Sequence, residues 1–209
     1  MKLIAHRGYW LKPEEKNSLV AFSRALDNGF GIETDLRDLN GNLVVSHDMP
    51  IEGAISIETF ALVLKDKMID SPIALNIKAD GLYELVRSFL EAAELNNAFV
   101  FDMSIPDMRS YLQCGISVYT RLSEYENQAI FIESCDGIWL DSFDGQWFGC
   151  DFVSDLLKKS KKLCFVSPEL HGRNHESFWK FLIENNFNEN ENISLCTDYP
   201  LEAKEYFNV

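Results

Sequence analysis

The chain has 209 residues, 46% hydrophobic and 25% charged, with a formal net charge of -14. That length supports one substantial core and is most simply a single domain over residues 1–209. The acidic excess opposes binding to a nucleic-acid backbone or an anionic membrane surface, and no apolar run approaches the roughly 20 residues that a membrane span requires.

Strand-like apolar runs alternate with helical patterns along the whole sequence. Lys2 to His6 reads as a strand. A helix opens near Asn17 and Ser18, places Leu19, Phe22 and Leu26 on one face, and stops around Gly29. Phe30 to Arg37 is a second strand, Asn40-Gly41 is a hairpin turn, and Leu43 to His47 returns. A helix from about Ser56 carries Phe60, Val63 and Leu64, and Pro72 to Lys78 is the next strand. It leads into a helix with Leu82, Leu85, Val86, Phe89, Leu90 and Ala93 at helical spacing. The second half repeats the rhythm, with strands at Ala98 to Phe101, Ile116 to Thr120, Gly137 to Leu140, Leu163 to Val166 and Ile193 to Thr197. Helices are expected after Ser104, around Phe152 to Leu157, through Phe178, Phe181 and Leu182, and after Pro200.

Eight strands that open such units predict a compact α/β fold of the (β/α)8 TIM-barrel type, with an open doubly wound sheet as the alternative. Nearly every strand ends in polar residues: His6, Glu33 with Asp35, Lys78, Asp102, Arg121, Asp141, Glu169 and Asp198. Barrel active sites are assembled at that end, which favours the barrel. The five cysteines lack CxxC spacing and read as small core residues of a protein in a reducing compartment. A first strand that starts at Lys2 leaves no room for a signal peptide, so the cytoplasm is the expected location. The basic run from Lys158 to Lys162 reads as cations at a helix C-terminus.

The chemistry concentrates in the first 48 residues. His6-Arg7-Gly8 is followed by Glu33-Thr34-Asp35 and then by His47-Asp48. Strand residues alternate between faces, so Glu33 and Asp35 project together and can converge on one cation. Two histidines around a metal held by carboxylates are the equipment for moving a proton onto and off a phosphate ester. Asp48 is placed to orient its loop or the His47 imidazole, and Asn76 and Lys78 share one face of their strand. Arg121 and Asp141, at the ends of neighbouring strands, are placed to pair.

His-Arg-Gly, Glu-x-Asp and His-Asp in this order resemble the glycerophosphodiester phosphodiesterase family, which is related to phosphatidylinositol-specific phospholipase C. The resemblance is specific over residues 3–48 and suggestive over 72–78 and 193–206. It implies a metal-assisted phosphoric diester hydrolase in which His6 and His47 are the general acid and base. It also implies that Glu33 and Asp35 hold a divalent cation, Mg2+ or Ca2+, and that Arg7 and Lys78 contact phosphate. The family usually carries Glu-x-Lys on the strand of Lys78, the Glu being a third ligand, and this chain has Asn76 there. An amide oxygen can still bind a hard cation but brings no charge. Glu169 is a candidate to replace the missing carboxylate or to read the leaving group. The family's Pro-Glu-Asn before the first helix is lengthened here to Pro13-Glu14-Glu15-Lys16-Asn17, with Asn17 as the expected helix cap. The expected partner is a small glycerol-type phosphodiester, with neither nucleic acid nor stable membrane anchoring. The alternative is a non-catalytic barrel that binds a phosphate-containing ligand.

Overall fold

A computed structural model of the chain describes residues 1–65, 67, 70–159 and 161–209. Two bodies are distinguished, residues 4–118 and residues 1–3 with 119–209.

In the first body, β1 (Lys2–His6, from Ile4 onward) leads through a loop to α1 (Leu19–Asp27) and β2 (Gly31–Leu39). The α1 N-cap is Ser18, whose Oγ accepts from Ala21 N at 3.3 Å. Asn17, the expected cap, has another use described below. Asn40 and Gly41 both adopt positive φ, 54° and 80°, as a two-residue hairpin turn demands, and return the chain as β3 (Asn42–Val45). A two-residue strand that the sequence pattern did not disclose, β4 (Ile55–Ser56), pairs with β3 before α2 (Ile57–Lys65). Then come β5 (Ile73–Ile77), α3 (Tyr83–Ala92), β6 (Ala98–Phe101) and α4 (Ile105–Gln113). Ser104 caps α4, its Oγ accepting from Asp107 N.

Strands β1, β2, β5 and β6 run parallel, with His6 beside Glu33, Asp35 beside Asn76 and Asn76 beside Phe101. The helices pack on each other through buried rings: Phe22 of α1 lies 4.8 Å from Phe60 of α2, which lies 6.2 Å from Phe89 of α3.

The second body holds β7 (Tyr119–Leu122), β8 (Gly137–Leu140), α5 (Cys150–Lys158), β9 (Lys162–Val166), α6 (Glu176–Glu184), β10 (Ile193–Thr197) and α7 (Pro200–Phe207). Its four strands are parallel in the order β7-β8-β9-β10. Its core is aromatic: Phe148, Phe165 and Phe178 are mutually packed, and Trp179 is buried with its indole N–H donating to Ser167 Oγ at 2.9 Å. β7 starts three residues later than the apolar run at Ile116 suggests. Val118 bridges Val100, while the ladder with β8 begins at Tyr119 opposite Gly137.

Among the described residues eight strands thus lie in parallel ladders, β2 carrying the antiparallel β3 as well, and all but β7 are followed by a helix, the succession of a (β/α)8 barrel. Cys135, Cys164 and Cys196 are buried and all five thiols are free. Among the described residues no helix is long and apolar enough to cross a membrane.

The start of β2 depends on close approach to the segment before β5. A Cβ on Gly31 would stand 2.3 Å from the Pro72 carbonyl oxygen, so even alanine must push the two apart. Gly31→Ala is expected to lose about 1–3 kcal/mol of unfolding free energy, measured by urea denaturation.

Candidate active site

Glu33 and Asp35 are each 1% exposed, and Thr34 between them is fully buried. Two carboxylates two residues apart in such a strand repel each other without water to screen them. Burial, and then the Asp35 charge, hold the Glu33 carboxyl well above the ordinary range, against the pull of Arg7 and Lys78.

The loop after β1 is shaped around this pair. Arg7 takes a left-handed conformation, φ 57°, in which its backbone N–H donates to Glu33 Oε2 at 3.1 Å and its Nε lies 3.3 Å from Asp35 Oδ2. Gly8 follows at φ 81°, where a Cβ would meet Ala21 at 2.9 Å. Asn17, also left-handed at φ 56°, donates from Nδ2 to Asp35 Oδ2 at 2.8 Å and accepts at Oδ1 from Thr34 Oγ1 at 2.8 Å. From β5, Lys78 brings its Nζ within 3.4 Å of Asp35 Oδ1. His6 Nε2 is 3.9 Å from Glu33 Oε2, and the His6 carbonyl accepts from the Trp10 indole at 3.1 Å.

Two buried oxygens here accept no hydrogen bond: Asp35 Oδ1 and Asn76 Oδ1. They belong to residues paired across the β2–β5 ladder, and neighbours in a parallel ladder point to one face. The Asn76 amide donates from Nδ2 to Asp102 Oδ2 at 3.3 Å. Among the described residues no group of three or more His, Cys, Asp or Glu side chains is gathered as a metal centre. What β2 and β5 offer is two carboxylates and an amide. All are hard oxygen donors, two have free buried lone pairs, and the carboxylate pair calls for positive charge, so the set fits Mg2+ or Ca2+.

His47 stands just past β3, on the antiparallel extension of β2. Its Nδ1 lies 2.9 Å from Asp48 Oδ1, one of the two uses of Asp48 that the sequence allows, and its carbonyl accepts from Arg37 Nε at 3.0 Å. Ser46 N donates to Asp35 O at 3.0 Å, tying the hairpin to the carboxylate strand. The His47 side chain is 42% exposed.

His6, Arg7, Glu33, Asp35, His47, Asn76 and Lys78 all belong to the first body. Glu169 belongs to the second, and its oxygens are engaged by Ser167 Oγ, Thr197 Oγ1 and the Asp198 backbone N–H. In that body Arg121 engages Glu126, and Asp141 engages His171 Nε2 at 2.7 Å. Sequence reasoning missed two contributors, Asn17 as a partner of Asp35 and Asp102 as a partner of Asn76. The left-handed backbone at both is invisible in the sequence, although Asn and Asp are the side-chain-bearing types that adopt it most readily.

No protein-family profile matches the sequence, and no curated protein matches it. Solved structures do. A protein from Galdieria sulphuraria assigned provisionally as a glycerophosphodiester phosphodiesterase superposes with a TM-score of 0.79 at 16% identity, over 100% of this chain and 98% of the other. The glycerophosphodiester phosphodiesterase of Agrobacterium tumefaciens gives 0.74 at 13%, over 100% of both chains. The fold is that of the glycerophosphodiester phosphodiesterases. A Ca2+-dependent phosphatidylinositol-specific phospholipase C from Streptomyces antibioticus lies further off, at 0.54 and 11%, over 100% of this chain and 96% of that one. The (β/α)8 barrel expected from strand count and polar strand ends is therefore the fold of this chain.

The elevated Glu33 pKa has a stability consequence. The folded state holds this proton more tightly than the unfolded chain, so the contribution is complete below the ordinary glutamate pKa of 4.5 and is lost as pH rises through the raised folded value. In chelator, the melting temperature of the wild type is expected to fall relative to Glu33→Gln over that rise. Thermal melts of the two proteins across pH check it, and parallel curves would contradict it.

Proposed function

We propose that the chain is a phosphoric diester hydrolase acting on a small glycerol-type phosphodiester, with residues 1–209 working as one catalytic domain. The observation that carries the reading is the pair of buried acceptors without hydrogen bonds, Asp35 Oδ1 and Asn76 Oδ1, on adjacent strands, with Arg7 and Lys78 beside Asp35. The fold shared with two glycerophosphodiester phosphodiesterases supports it.

Glu33, Asp35 and Asn76 would hold a divalent cation, Mg2+ or Ca2+. When bound, the cation would polarise a phosphoryl oxygen and lower the pKa of the attacking oxygen. Glu169, whose oxygens already accept from three donors, is assigned no part in this. Arg7 and Lys78 bind the non-bridging phosphate oxygens, and their ion pairs with Asp35 hold both cations extended toward the site. His6 and His47 move the protons, one from the nucleophile and one to the leaving alkoxide. Glu33 Oε2 stands 3.9 Å from His6 Nε2 and helps to place the imidazole. Asp48 at His47 Nδ1 fixes the tautomer that leaves Nε2 to exchange a proton with substrate. We assign the protein to the cytoplasm, on the support of its five free thiols.

Alanine at His6 or at His47 is expected to cut turnover of bis(p-nitrophenyl) phosphate by roughly 10²-fold or more, with circular dichroism unchanged. Near-normal turnover in both variants would remove the acid–base assignment. Chelator should abolish turnover and added Mg2+ or Ca2+ restore it, whereas glycerophosphate-ester binding without any release would favour a binding barrel.

A further inference from the structure

The third cation-facing side chain is an amide, and an amide has two ends. Turned one way, Asn76 offers Oδ1 to a cation; turned the other, it offers an NH2 group that repels one. Its surroundings decide. The side chain is 7% exposed, its Oδ1 is buried without a hydrogen bond, and its Nδ2 faces Asp102 Oδ2 at 3.3 Å. An ionised carboxylate only accepts, so the end of the amide that faces Asp102 has to be the donor.

Asp102 reaches Asn76 from an unusual backbone. β6 ends at Phe101, the ladder partner of Asn76, and the next residue takes φ 69° in the left-handed region. For a residue with a side chain this conformation is uncommon and costs energy, so the surrounding structure must hold it.

We propose that Asp102 is a positioning residue for the divalent cation: by accepting from Asn76 Nδ2 it holds Asn76 Oδ1 toward the cation beside Asp35. This rests on the cation reading given above. Partners that orient a ligand in this way commonly control metal affinity by 10–100-fold.

The test is Mn2+ binding, followed by electron paramagnetic resonance of the free ion, which needs no turnover. Asp102→Gly removes the carboxylate at a backbone position that glycine adopts without strain, and it is expected to weaken Mn2+ by about 10-fold or more. Asp102→Asn can still present an oxygen to the same N–H and should retain most of the affinity. The exchanged pair Asn76→Asp with Asp102→Asn, in which the donor and acceptor trade strands, should bind Mn2+ at least as tightly as the wild type. Wild-type affinity in Asp102→Gly, or equal weakening in Asp102→Gly and Asp102→Asn, overturns the positioning role while the cation site stands. A wild-type protein that leaves all Mn2+ free overturns the cation site and the positioning role with it.

Discussion

Everything at this site answers to one electrostatic problem, the placing of Glu33 and Asp35 side by side on a strand sealed from water. A lone buried carboxylate can escape the cost of desolvation by keeping its proton, and two of them compete over which one does so. Arg7, Asn17 and Lys78 are the responses already built into the chain: an arginine and its backbone N–H from the first loop, an amide from the end of that loop, and an ammonium from the adjacent strand. Two of these responses require left-handed backbone, at Arg7 and Asn17, so the loop is bent at local cost to serve the carboxylates. The cations meet Asp35 more fully than Glu33, and the Glu33 carboxyl is the one held well above its ordinary range.

How far the sequence disclosed this can be judged residue by residue. The strands of the sheet were legible because buried parallel strands are continuous apolar runs, and the carboxylates stood out because they interrupt such a run. Position along a run was less legible. Ile116 and Val118 are as apolar and buried as Tyr119, and only pairing with Gly137, over which the Tyr119 ring packs, decides where β7 begins. Ile55 and Ser56 are too few to leave a periodic trace.

At the N-terminus of α1 two capping types stand together, Asn17 and Ser18, and sequence cannot rank them because either side chain can accept from the helix. The choice is made by Thr34 and Asp35, which engage Asn17 and leave the cap to Ser18. Asp102 was visible as a polar strand end, yet its link to Asn76 depends on β5–β6 register, information carried by no single segment. The departure at Asn76 looked from sequence like a lost charge. In the fold it is one half of a hydrogen-bonded pair whose other half is an acid.

The hairpin that carries His47 is held to the rest of the site differently from the Glu33 carboxylate. Glu33 lies where β2 is bracketed by β1 and β5, whereas Asp35 lies between β5 and the hairpin, whose Ser46 N–H donates to the Asp35 carbonyl. His47 sits beyond that bracket, at the start of the exposed crossing from β3 to β4, with a half-exposed side chain. Opening of this short antiparallel extension would withdraw the imidazole and also break the Ser46–Asp35 hydrogen bond that ties the hairpin to the carboxylate strand. His47 is thus the member of the set whose placement depends on a short hairpin rather than on the parallel sheet.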